Sequence, residues 1–300
     1  MKTDDAFHGI TTLITANLQQ GQCQGSGFFY QQMAPAPGEA RPGWREVQKT
    51  WLVTNRHVVF PKIGSQEMVP DTLAFHMRKI DGQVLRWDPV VLSRADLLAR
   101  ARVHSNPLVD VCVVDVLDLL KDRVSSGTYA QWYPVHAEQH AGKNNISVEV
   151  ADDAIVIGYP RGYYDDVNLF PIVKSGIIAT RWGLPFKGLP CFLVDAKLFP
   201  GSSGSIVVSK PRDIVVVDGN VMLARDKQFA FLGVFSGEPY KQEHPLDFDD
   251  MTIVRKSSFN LGIVWYGVLV DQIISQDCRH PEAPANTTQQ PTGAPSGAGG

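Results

Sequence analysis

No run in this 300-residue sequence approaches the ~18–20 consecutive apolar residues of a membrane-spanning helix. A basic start followed by an apolar core is also missing, so no secretory leader is visible and a cytoplasmic setting is expected. Charge of one sign is lacking. The 28 Lys and Arg against 31 Asp and Glu leave a net charge of −3, which gives no reason to expect nucleic acid or an anionic membrane as partner. Cysteine is scarce: Cys23, Cys112, Cys191 and Cys278 lie far apart and form no C-x-x-C pair. Cys112 and Cys191 sit in or beside apolar runs, so they read as small core residues in a reducing compartment rather than as a disulfide framework. Helical spacing is rare too, confined to residues 267–276 near the end and a short stretch over 133–140.

What is present is a β-rich rhythm. The composition, 44% hydrophobic and 20% charged, can bury a sizeable core, and the length suits two subdomains of ~100–150 residues. Runs rich in β-branched and aromatic residues recur at 11–18, 27–30, 50–54, 72–77, 84–92 and 111–116. A second set lies at 147–150, 154–158, 172–180, 191–194, 205–208, 229–235 and 260–266. About six strands per half predict an all-β protein of two packed six-stranded antiparallel β-barrels with a short C-terminal helix. The expected boundaries are 8–135, 136–277 and a disordered tail over 278–300, where Pro, Gly, Ser and Ala leave nothing to build a core.

Three motifs carry chemistry. Pro200-Gly201-Ser202-Ser203-Gly204-Ser205 sets a serine in a glycine turn, Trp51-Leu52-Val53-Thr54-Asn55-Arg56-His57 ends a strand on a histidine, and Asp110 opens another strand. A serine hydroxyl needs an adjacent base, histidine titrates in the right range, and a carboxylate on the other ring nitrogen fixes the tautomer. Gly201 can take positive φ, and its N–H with that of Ser203 would receive the developing oxyanion. Alone, each motif has a plainer reading as a turn, a structural histidine or a strand cap. Together their order, His then Asp then Ser, matches the chymotrypsin arrangement; an α/β-hydrolase elbow or a subtilisin order does not fit.

These segments resemble the chymotrypsin-fold serine proteases, and within them the Deg/HtrA branch. Gly25-Ser26-Gly27-Phe28-Phe29, Leu52 through Val59, Asp110 through Val116, and Asp195 through Ser205 carry the likeness. Gly158-Tyr159-Pro160 with Ser175-Gly176-Ile177-Ile178 and Asn260 through Val264 agree with it, spanning roughly residues 10–275. The resemblance implies a serine endopeptidase with a site between the barrels. His57, Asp110 and Ser203 would form the triad, and the Gly201 and Ser203 N–H groups the oxyanion hole. It implies no cofactor and no metal, and a protein or peptide as substrate. Lys197, six residues before Ser203, takes a position near the base of the specificity pocket, where it would favour an acidic side chain unless it faces solvent or pairs with Asp195. Ser236, Gly237 and Glu238 would line the pocket's wall. The expectation is a protease domain without the peptide-binding PDZ domain that normally follows in Deg proteases, which counts against family-style activation and assembly. Two alternatives stay open: a catalytically silent peptide-binding module, and a latent protease awaiting an activating partner protein.

Other features have bland readings beside sharper ones. Residues 31–48, with several Pro and Gly, read as an extended loop before His57. Residues 237–256, with Glu238, Glu243, Asp247, Asp249 and Asp250, read as a solvated loop or as an acidic lid able to hold Ca²⁺. His136 and His140 would share a helix face and could bind zinc, but without an evident third ligand an exposed linker explains them better.

Overall fold

The computed structural model describes residues 3–34, 45–130, 132–217, 220–242, 246–248, 251–253 and 256–282. In the first half, β1 (Thr11–Leu18), β2 (Gly21–Met33) and β3 (Val47–Thr54) pair antiparallel. A hairpin follows, β4 (Thr72–Asp81) and β5 (Val84–Ser93), turning through Gly82 at φ +63 where a side chain would be strained. β6 (Ala101–Val103) and β7 (Cys112–Asp115) complete the order β5-β4-β1-β2-β3-β7-β6. Helix α1 (Thr3–Ile10) leads into β1, and α2 (Arg56–Val59) is a single turn after β3. Helix α3 (Arg94–Arg100) runs between β5 and β6, capped by Ser93, whose hydroxyl accepts from Asp96 N–H. Its buried Leu97 and Leu98 face the same core as β4 and β7. Helix α4 (Leu117–Ser125) follows β7, where the sequence suggested only a turn.

The second half is a closed six-stranded barrel. β8 (Asp153–Gly158), β9 (Ile172–Ile178), β10 (Cys191–Asp195), β11 (Ile206–Ser209), β12 (Phe231–Gly237) and β13 (Leu261–Tyr266) close in the order β8-β9-β10-β13-β12-β11. α5 (Val268–Gln276), the helix that the spacing of its apolar residues predicted, then packs against the first half. Residues 147–150 form no ladder although Ile146 and Val148 are buried in the barrel core. Burial there requires apolar side chains, not a strand partner. Between β11 and β12, Arg212–Val217 and Asn220–Gln228 make a separate hairpin.

Three apolar clusters result. One fills the first half around Phe29, Leu52 and Phe75, and one fills the second barrel around Phe192, Val194 and Phe235. The third lies between the halves, where Phe28 meets Phe231 edge-on at 5.4 Å and Phe7 of α1 meets Phe229 at 5.7 Å. Aromatic pairs of this kind add about 0.5–1.5 kcal/mol beyond area burial. After α5 the chain docks back on the first half: Val103 N–H donates to Cys278 O at 2.9 Å, and the His280 ring stacks on Phe60 at 4.2 Å. Residues 278–280, expected to begin a disordered tail, are thus seated on the first half, and residues beyond 282 lie outside the described part.

All four cysteines are free. Burial pushes the Cys112 thiol up to about 12 and the Cys191 thiol up to about 11, so both stay protonated core groups. Among the described residues no helix is long and apolar enough to cross a membrane.

The stretch over 133–140 is not a regular helix. Val135–His136 pairs in parallel with Tyr30 and Gln31, and Ala137–Gln139 makes one 3₁₀ turn. His140 is 4% exposed, not part of an exposed linker, and its Nε2 lies 3.0 Å from Tyr30 Oη. Tyr30 Oη also donates to Asp271 of α5 at 2.5 Å. Burial pulls the His140 imidazole down to about 4, and burial also lowers His136 and His280. An unfolded histidine titrates near 6.5, so the unfolded chain binds more protons between pH 6.5 and pH 4. The stability owed to a neutral His140 is complete above pH 6.5 and is lost as pH falls towards 4, at about 1.4 kcal/mol per pH unit per proton. Urea unfolding at pH 7.5 and pH 5 should show this decline, with a shallower slope in His140→Gln.

Candidate active site

β3 runs buried between β2 and β7 and delivers His57 at its end. Asn55 forms the corner. Its carbonyl accepts from Val58 and Val59 N–H at 3.2 and 3.3 Å, and its Nδ2 donates to Asp110 O at 2.7 Å. Arg56 forks onto Glu67 at 2.7 and 2.8 Å, which clamps the turn from the other side. Val58 and Val59 face the core, leaving the His57 side chain 42% exposed.

Asp110 Oδ1 accepts from His57 N–H at 3.0 Å, and Oδ2 lies 2.6 Å from His57 Nδ1. An ionised carboxylate only accepts, so Nδ1 carries the proton and neutral His57 presents Nε2 as an acceptor. Asp110 Oδ2 takes a further hydrogen bond from Ser236 Oγ at 2.6 Å. Three donors from two distant segments therefore hold one carboxylate.

The serine turn is tied to both halves of the molecule. Ser26 N–H donates to Ser203 O at 2.8 Å, Ser26 Oγ donates to Gly201 O at 3.0 Å, and Gly204 N–H donates to Phe235 O at 2.8 Å. Ser26 Oγ also accepts from Tyr159 N–H at 2.8 Å. Gly204, at φ +84, admits this close approach, since a Cβ there would sit 2.0 Å from Ser26 O. Ser203 Oγ donates to Ser236 O at 2.7 Å and makes no hydrogen bond with His57. Catalytic hydrogen bonds are often loose before substrate arrives.

The peptide between Pro200 and Gly201 has a defined orientation. Arg161 N–H donates to Pro200 O at 2.7 Å, with Gly201 at φ +87. In a trans peptide N–H and C=O point oppositely, so Gly201 N–H points away from Arg161. Among the described residues neither Gly201 N–H nor Ser203 N–H has an acceptor. Two free N–H groups two residues apart beside a serine hydroxyl are suited to an oxygen anion.

Of the residues expected along the pocket, Ser236 lies beside Asp110 and Ser203. Gly237 ends β12 past a register shift, with open space where a Cβ would be. Glu238 follows it, partly exposed. Lys197 is exposed, its carbonyl accepting from Lys174 Nζ and its ammonium 6.0 Å from the Phe199 ring. No local motif marks the parts played by Ser236, Arg161 and Ser26. Ser26 alone fell within a segment carrying the family likeness. In the acidic insertion, backbone ladders join Tyr240–Gln242 to Lys256–Ser258 and Leu246–Phe248 to Met251–Ile253. Glu243, Asp249 and Asp250, three of the five carboxylates on which the Ca²⁺ reading rested, lie outside the described residues.

Gly201→Ala tests the turn. A Cβ would fall 2.4 Å from Arg161 N, 3.0 Å from Arg161 Cα and 3.1 Å from Tyr159 O, all backbone atoms that cannot swing aside. The substitution should cost about 1–3 kcal/mol of stability through strain and lower peptide turnover about 10²–10³-fold through the displaced donor. Thermal unfolding and steady-state kinetics on the same preparation measure both.

The structure is similar to the serine endoprotease from Yersinia pestis, at 15% identity over 90% of this chain and 62% of that one, with a TM-score of 0.43. The chain thus spans less than two thirds of the Y. pestis protein. It is also similar to the active form of the Rv3671c protease from M. tuberculosis, at 15% identity over 91% of this chain and 83% of that one, TM-score 0.42. A third likeness is to the scabies mite inactivated protease paralogue S-I1, at 12% identity over 92% of this chain and 97% of that one, TM-score 0.46. No curated protein matches the sequence. The sequence profile of the trypsin-like peptidase domain matches residues 25–217. That match runs from the glycine ahead of Ser26 past the Ser203 turn and takes in more than half of the chain, which therefore belongs to the trypsin-like peptidase domain family.

Proposed function

We propose that this protein is a serine endopeptidase that works through an acyl-enzyme. The observation that carries the reading is the Pro200–Gly201 peptide, turned so that Gly201 N–H and Ser203 N–H are both free beside the Ser203 hydroxyl. The 2.6 Å contact of His57 Nδ1 with Asp110 supports it.

In the cycle that follows, the Ser203 hydroxyl turns from Ser236 O to His57 Nε2 and Oγ attacks the peptide carbonyl carbon. The Oγ proton passes to Nε2, and the carbonyl oxygen becomes an anion received by the Gly201 and Ser203 N–H groups. Asp110, held by Ser236 Oγ–H and His57 N–H, stabilises the imidazolium without taking its proton. His57 then protonates the leaving amine, the C–N bond breaks, and the acyl group stays on Ser203. Water, deprotonated by His57, attacks the ester, and the acid leaves as Ser203 regains its proton.

A second reading, a latent protease switched on by a partner protein, draws on the Ser203 hydroxyl bonding Ser236 O rather than His57. A fluorophosphonate probe distinguishes the two, because it reacts with an activated serine alone. The isolated protein should be labelled and Ser203→Ala should not. An unlabelled, folded wild-type protein would overturn the active-enzyme reading.

A further inference from the structure

Phe199 stands two residues before Gly201 with 40% of its surface exposed. Three cations gather around its ring: Lys174 Nζ at 4.6 Å from the ring centre, Arg161 Cζ at 5.5 Å and Lys197 Nζ at 6.0 Å. They come from three separate segments of the chain. Lys174 lies on β9, Arg161 follows β8, and Lys197 follows β10. Lys174 Nζ donates to Lys197 O, which joins two of the segments directly.

Among the described residues none of the three is in an ion pair with a carboxylate. Asp165, four residues after Arg161 in the chain, spends its carboxylate on Asn168 Nδ2 at 2.7 Å and on the Val167 and Asn168 N–H groups at 3.0 Å. A chain of net charge −3 thus gathers around one ring three positive charges that, among the described residues, have no carboxylate within ion-pairing distance. An open groove of about 540 Å³ runs beside it, lined by Pro160, Tyr163 and Ile172 together with Arg161, Lys174 and Phe199. Its floor is apolar and its fixed charge is positive.

Position gives this patch its meaning. Two residues of chain span at most about 7 Å, so Phe199 lies close to the turn that presents Gly201 N–H. Arg161 belongs to both places, because its N–H holds Pro200 O while its guanidinium faces Phe199. A peptide with its scissile carbonyl at Gly201 and Ser203 would bring neighbouring side chains into the groove.

We infer that Arg161, Lys174 and Lys197 form a specificity collar around Phe199, selecting peptides with Asp or Glu within a few residues of the cleaved bond. The inference rests on the endopeptidase reading and names its substrate class. An acidic side chain lays its methylene stem on the apolar floor and its carboxylate among the three cations. Association is favoured by the local field, and the advantage shrinks with added salt.

The test uses quenched fluorescent peptides that differ only by Glu or Gln at one position at a time on either side of the cleaved bond. At low salt kcat/KM for the best Glu peptide should exceed that of its Gln twin about 10–100-fold, and 0.5 M NaCl should shrink the ratio. The double variant Lys174→Gln, Lys197→Gln should bring the ratio towards one, and Lys174→Glu with Lys197→Glu should shift preference to Lys-bearing peptides. Cleavage with equal rates for Glu and Gln at every position would overturn the collar while leaving the endopeptidase reading in place. If no peptide is cleaved, fluorescence anisotropy of the same labelled peptides with Ser203→Ala decides the collar separately. Tighter binding of the Glu peptide, lost in the Lys→Gln background, supports it, and equal affinities overturn it.

Discussion

Ser203→Ala is expected to reduce peptide hydrolysis by about 10⁶-fold with little change in fold stability. The Ser203 hydroxyl makes one hydrogen bond, to Ser236 O, and a typical hydrogen bond contributes only about 1 kcal/mol net. The turn itself is held by backbone groups of Ser26, Phe235 and Arg161, none of which the substitution touches. What disappears is the atom that forms the acyl bond, while substrate positioning and the free N–H pair remain. A small residual rate above water is therefore expected, about 10³–10⁴-fold. Single-turnover kinetics with a chromogenic ester and a peptide would measure the loss. Turnover within tenfold of wild type would place the nucleophile elsewhere.

Asp110→Asn should lower turnover by about 10⁴-fold, the size found when a triad carboxylate becomes an amide. Asp110 accepts three hydrogen bonds here, from His57 N–H, His57 Nδ1–H and Ser236 Oγ–H. An amide has one accepting atom and one donating group. With the amide nitrogen towards His57 Nδ1, the ring must place its proton on Nε2, where it can no longer take a proton from Ser203. With the nitrogen turned the other way, it faces the His57 N–H, and two donors are set against each other. Either arrangement also leaves a polar group poorly paired, costing about 1–3 kcal/mol. Thermal unfolding separates that cost from the kinetic loss. A variant destabilised by this amount but turning over at wild-type rate would make Asp110 a structural residue only.

The legible parts of the site were those whose chemistry is written in adjacent residues. His57 stands just after a buried strand, Asp110 two residues before another, and Ser203 between two glycines that both adopt positive φ. The closed second barrel and α5 followed from β-branched runs and helical spacing. Other elements escaped the pattern. Helix α1 is only eight residues long, and its buried Ala6, Phe7 and Ile10 find their partners between the two halves. The parallel pairing of Val135–His136 with Tyr30 and Gln31 replaced an expected helix because a neighbouring strand edge offered hydrogen bonds. His140 was read as exposed, yet Tyr30 and Phe231 enclose it.

The sequence by itself determined the fold class, the order of the three candidate residues His57, Asp110 and Ser203, and the glycine that permits a positive φ at position 201, because each depends on residue types close together in the chain. Only the tertiary structure decided how the Pro200–Gly201 peptide is oriented, which acceptor the Ser203 hydroxyl takes, and that Ser236 supports Asp110. Those outcomes depend on Arg161 meeting Pro200 across 39 positions and Ser236 meeting Asp110 across 126. A hydrogen bond forms with whichever group the packed strands bring within about 3 Å, and that proximity is set by all the contacts of the two halves at once.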